Sequence, residues 1–155
     1  MPDSLDPATA GRQAIRMLIQ DPVTKSLAHD SQLTIAQLEV LLAASFTDEN
    51  GLKKSERRRY CPSRSHISRG AYNRSLIQAQ NNVIRAIYTV LLLGYVGIFS
   101  TSALQPFLEL SDSIQGFIEV RGSTGNDVAA IRELTARLME TVTALAKRQS
   151  FKGRL

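Results

Sequence analysis

The chain has 155 residues, one domain's worth of sequence or one domain plus an arm. Hydrophobic residues make up 43 % of it, enough for a core and too many for a disordered chain. A single cysteine, Cys61, excludes an intramolecular disulfide framework, and with only two histidines beside it a Cys/His zinc site is not expected.

Charge is unevenly spread. Lys+Arg number 19 and Asp+Glu 14, a net +5. Between Lys53 and Arg85 nine basic residues stand against Glu56 alone, a local +8 that leaves −3 for the rest. A mildly acidic protein with one concentrated basic segment suits a polyanion, either nucleic acid or an anionic membrane. A solvated basic loop is the alternative reading. The first residues, Met1 to Pro7, are acidic and polar. No secretory signal is expected there, so the default location is cytoplasmic.

The first predicted helix runs from about Pro7 to Gln20, with Ala14, Ile15, Leu18 and Ile19 on one face. Asp21-Pro22 stops it and starts a short second helix holding Val23 and Leu27. Thr34 with Gln37 three residues later forms a capping box, and Leu33 with Leu38 can staple the same turn. That third helix fades over Thr47 to Asn50, at the turn signal Asn50-Gly51. The basic segment, Leu52 to Ile67, holds one short helix around Lys53 to Tyr60, ended by Pro62.

Ser68 caps a long helix, Arg69 to about Leu93. Leu76, Val83, Ile87, Val90, Leu91 and Gly94 share one broad face, which reads as turned inward on a core. Arg74, Gln78, Asn81, Asn82, Arg85 and Thr89 form the opposing polar stripe. Gly94 and Gly97 mark the helix end and a turn, and Tyr95 to Phe99 is the only stretch that admits a strand. An amphipathic stretch, Leu104 to Val120, follows. Arg121 to Asn126 is a linker, and a final helix reaches about Gln149. Its stripe is Ile131, Leu134, Leu138, Val142 and Leu145, and Glu133 with Arg137 makes a favourable pair at i,i+4.

The 23 uncharged residues from Ala86 to Leu108 could span a bilayer. Only Val90 to Phe99 is densely apolar, however, and polar residues follow at once. The fold class expected is all-α, with residues 1–120 as the main domain and 126–149 as a C-terminal dimerisation arm.

No enzyme constellation is visible: the sequence lacks a Gly-rich phosphate loop, a Gly-x-Ser-x-Gly and a His-Glu-x-x-His. Asp and Glu are scattered, mostly on what read as polar helix faces, and His29 and His66 read as surface residues. No metal, cofactor or small-molecule substrate is implied. Cys61 lies between Arg59 and Arg64, cations that would favour its thiolate; an ordinary loop cysteine is the other reading.

The most specific local pattern is Ile67-Ser68-Arg69-Gly70-Ala71-Tyr72-Asn73-Arg74-Ser75-Leu76. It resembles the start of the recognition helix in helix-turn-helix transcription regulators. There a hydrophobe and Ser lead to a polar, a small and a bulky residue, then Arg and Leu. The resemblance implies a helix-turn-helix-like core with the Thr34 to Phe46 helix as scaffold. It implies Arg69, Asn73, Arg74 and Gln78 as the DNA-facing residues, reading base edges from the first turns. Thr89 to Tyr95 is similar to the leucine-rich helix end before a wing in winged-helix domains, so a winged variant stays open.

The expected function is therefore duplex DNA binding without catalysis, as a transcription regulator or chromosome-associated factor. Lys53, Lys54, Arg57, Arg58, Arg59 and Arg64 would hold phosphates. A homodimer through the C-terminal stripe would place two recognition helices on one duplex. Two alternatives stand beside this reading. One is an adaptor whose basic segment meets an acidic protein or RNA; the other is a small membrane protein anchored through 86–108.

Overall fold

The computed structural model describes residues 6–64 and 66–98. Beyond them it describes only positions 102, 105, 107–109, 111–112, 133, 136–137, 140 and 143, all of them helical. The protein is mainly helical, with no strand among the described residues. Helices α1 (Pro7–Gln20), α2 (Pro22–Asp30) and α3 (Ile35–Glu49) are followed by a 3-10 helix (Lys54–Tyr60) and by α4 (Arg69–Tyr95). The chain divides into two units, Met1–Ala86 and Ile87–Leu155.

Local chemistry sets the helix ends. The Asp21 carboxylate accepts from the Thr24 backbone N–H at 2.9 Å, with Pro22 at the first helical position. The capping box at α3 is complete, because Thr34 Oγ1 accepts from Gln37 N–H and Gln37 Oε1 accepts from Thr34 N–H, each at 3.1 Å. Such a cap is worth about 1 kcal/mol. Both α3 and α4 end in Schellman motifs. Leu52 N–H reaches Thr47 O at 2.8 Å around Gly51, and Ile98 N–H reaches Leu93 O at 2.9 Å around Gly97. The two glycines have φ of 63° and 79°, a conformation that a side chain would strain.

In the first unit α3 packs on α1 and on the 3-10 helix, and α1 on α2. The core joins Ile15 and Ile19 of α1, Val40, Ala43 and Ala44 of α3, Tyr60 and Cys61, and Tyr72, Leu76 and Ala79 of α4. At Gly11 of α1 a methyl group would lie 2.6 Å from the Phe46 ring. Phe46 and Tyr60 pack as a tilted ring pair with centroids 5.1 Å apart. Asn82 ties α4 to the α2–α3 corner, donating to Gln32 O at 2.9 Å and to Gln37 Oε1 at 3.3 Å.

Two expectations are corrected. Tyr95 is the last residue of α4 and 96–98 form its closing turn, so those positions make no strand; Phe99 lies outside the described residues. The inward face expected along all of α4 stops at Ala79. Val83, Ile87, Val90 and Leu91 are exposed, because apolar periodicity marks a face without supplying the surface that covers it. Glu39, fully buried, is the exception among acidic residues read as mostly on polar faces.

Of the expected C-terminal helix, residues 133, 136, 137, 140 and 143 are helical and exposed. The expected Glu133–Arg137 pair forms at 2.6 Å. Its apolar stripe, Ile131, Leu134, Leu138, Val142 and Leu145, lies outside the described residues, as does the 121–126 linker.

Candidate nucleic-acid interface

The basic segment is built on the end of α3. Lys53 and Lys54 follow the Schellman turn and are exposed. Neither makes an ion pair among the described residues, and nor do Arg69 and Arg74. Arg57 turns the other way. Its side chain is only 14 % exposed, and its Nη2 donates to the Asp48 carboxylate at 2.6 and 2.8 Å. Its Nε donates to Thr47 Oγ1 at 3.2 Å. Arg59 remains open to solvent at 75 %, with a loose 3.8 Å approach to Glu56.

Two further arginines fasten the segment to α4. Arg58 Nη1 donates to Ile67 O at 3.2 Å, just before the helix cap. Arg64 Nη1 reaches Ser75 Oγ at 3.5 Å, at the limit of hydrogen bonding. A third fastening comes from α3. The buried Glu39 carboxylate accepts from the Ser63 backbone N–H at 2.7 Å, and the Ser63 hydroxyl donates to its other oxygen. A buried carboxylate needs such donors to offset lost hydration. The Cys61–Ser63 strap is thereby pinned to α3.

Cys61, the first residue of that strap, is fully buried. Burial, then the Glu39 charge, push its thiol up to about 12, against the opposing pull of Arg64 and Arg12. The thiolate-favouring environment suggested by its sequence neighbours is overturned, because desolvation outweighs those cations. Tyr72 is raised too, by burial first, and its hydroxyl donates to Val40 O at 3.1 Å.

The first turns of α4 carry the rest of the site. Ser68 Oγ accepts from Ala71 N–H at 3.2 Å and so caps the helix. Tyr72, Leu76 and Ala79 face the core, while Arg69, Asn73, Arg74 and Gln78 are exposed. Ile77 stands among them at 57 % exposure. Free N–H groups and the positive dipole end of α4 add to the positive potential of its first turn.

The structure thus brings the start of α4 and the basic segment together through Arg58 and Arg64. Lys53, Lys54, Arg59, Arg69 and Arg74 are left facing solvent, with Asn73 and Gln78. Arg57 belongs to the fold. Sequence reasoning missed Glu39, Ser63 and Ile77. The Glu39–Ser63 contact spans 24 residues and leaves no local signal, whereas Ile77 is readable as the position opposite the Leu76 face.

Elsewhere, a shallow groove between α2 and α3 is lined by Lys25, His29 and Leu33 among others. Both His29 and His66 are exposed. No group of three His, Cys, Asp or Glu that could hold a metal occurs among the described residues. No helix among them is long and apolar enough to cross a membrane. No protein-family model, curated protein or solved structure matches the chain.

Proposed function

We propose that the protein binds duplex DNA without catalysis, as a transcription regulator or chromosome-associated factor. One observation carries the reading: α4 buries Tyr72, Leu76 and Ala79 while turning Arg69, Asn73, Arg74 and Gln78 to solvent beside a solvent-facing cationic segment. Lys53, Lys54 and Arg59 hold phosphates and set affinity. Arg69 and Asn73 supply base readout, since Arg pairs with guanine and Asn with adenine through two bonds each.

In this reading α4 is the recognition element and α3 its scaffold, in keeping with the helix-turn-helix resemblance. The link between them is 19 residues long and contains the 3-10 helix, where a helix-turn-helix uses a turn of about three or four. The basic link therefore lies beside the reading helix as a second contact surface. The 126–149 arm enters as a dimerisation element that would set two α4 helices on successive major-groove faces.

Fluorescence anisotropy with random duplex DNA, single-stranded DNA, RNA and an acidic peptide tests the proposal. Preference for duplex DNA supports it. Preference for RNA or the peptide replaces it with the adaptor reading.

A further inference from the structure

The distal half of α4 carries a surface that DNA binding does not use. Ile84, Ile87, Tyr88, Leu91 and Tyr95 are between 48 % and 91 % exposed. Surface hydrophobes are ordinarily scattered, and a contiguous run of this size on one helix marks an interaction face. The spacing is i, i+3, i+4, i+7 and i+11, which lines the five residues along one side of the helix.

We propose that this face, Ile84 to Tyr95, packs against the same face of a second copy of the chain. Three features point to a second copy as the occupant. First, Ile84, Ile87 and Leu91 alternate by three and four residues, the seam that lets two helices interdigitate. Second, the face is uncharged. The one charge between Ser75 and Leu108, Arg85, falls outside the stripe, so two identical faces meet without repulsion. Third, the area suffices. At about 200 Å² for a fully exposed large side chain, these exposures offer roughly 600 Å² per copy. Specific interfaces begin at about 1,200 Å² in total. Gly94 lies on the same side, and among the described residues nothing comes within 4 Å of a Cβ placed there, so the partner's backbone can come close.

The contact is isologous, each copy offering the same residues. It is independent of the DNA reading and of the C-terminal stripe at Ile131 to Leu145. Arg69, Asn73, Arg74 and Gln78 lie two or more turns before its centre and stay free.

Sedimentation equilibrium of the full chain tests it, alongside Ile84→Glu and Leu91→Glu. The wild type is expected to be a dimer at micromolar concentration, and each variant to raise the dimer dissociation constant at least tenfold. Circular dichroism establishes that the variants keep their helix. A second probe needs no loss of function. Tyr88 sits near the middle of the segment, so its copies meet whichever way the two helices run. Oxidised Tyr88→Cys is expected to give a covalent dimer, while the wild type gives none because Cys61 is fully buried. A monomeric wild type overturns the proposal, whether the face is covered by the chain's own residues or binds neutral phosphatidylcholine vesicles instead. So does a dimer that survives both Glu substitutions.

Discussion

Arg57 and Asp48 meet at the last turn of α3, where one guanidinium nitrogen lies 2.6 and 2.8 Å from the two carboxylate oxygens. The pair closes the link onto the helix that precedes it and takes one arginine of the Arg57-Arg58-Arg59 run out of the cationic surface. Arg57→Ala should therefore act on stability. The pair is half in solvent, so its ionic part is modest. With the bond to buried Thr47 included, a loss of about 1–2 kcal/mol is expected in urea unfolding. Arg59→Ala should cost under about 0.5 kcal/mol. Equal losses from the two would contradict the assignment.

Gly11 is expected to tolerate no side chain. The methyl of Gly11→Ala would meet Phe46 at 2.6 Å and Tyr60 at 3.1 Å. Overpacking costs about 1–3 kcal/mol, against a helix-propensity gain of up to about 1 kcal/mol. A net loss should appear in thermal unfolding, and Phe46→Leu in the same chain should recover part of it. Gly70→Ala, where the nearest atom is 3.7 Å away, serves as the control and should lose nothing.

Alkaline pH should unfold the protein through Cys61. Its thiol is ordinarily near 9.0 and is pushed up to about 12 in the fold. Below the lower value both states hold the proton and stability is intact. Above it the unfolded thiol ionises while the folded one does not, so stability falls by about 1.4 kcal/mol per pH unit until the folded value is reached. Tyr72, raised in the same sense, steepens the fall above its ordinary 10.0. Urea unfolding between about pH 8 and 11 should show a shallower decline in Cys61→Ala. An identical decline would remove Cys61 as its source.

The local parts of the fold were legible because their causes are local. Asp21-Pro22, the Thr34–Gln37 box and the two turn glycines each act within six residues, and each is found where spacing placed it. Contacts set by distant partners were not legible. Glu39 looks like any helix-surface acid until Ser63 comes back over it, and the Arg57 run reads as uniform until Asp48 selects one member. The outward side of α4 at Arg69, Asn73, Arg74 and Gln78 follows from the burial of Tyr72 and Leu76. That burial is only half visible in the sequence, because Tyr72 falls within the Ile67 to Leu76 motif and outside the apolar stripe that begins at Leu76.

Readout should reside in the first turns of α4. Arg69→Ala or Asn73→Ala should narrow the gap between a selected duplex and random DNA by about 1–3 kcal/mol, if each contact is bidentate. Competition binding measures the gap. Equal losses on both DNAs would leave the helix as a phosphate contact.

The most direct measurement of the central claim is a salt titration of duplex binding. The logarithm of affinity against the logarithm of salt concentration should be linear, with a slope of about −0.9 for each phosphate held. In the Lys53, Lys54 and Arg59 triple alanine variant the slope should flatten by about two to three units while the fold is kept. An unchanged slope, or no binding by the wild type at low salt, would contradict the account.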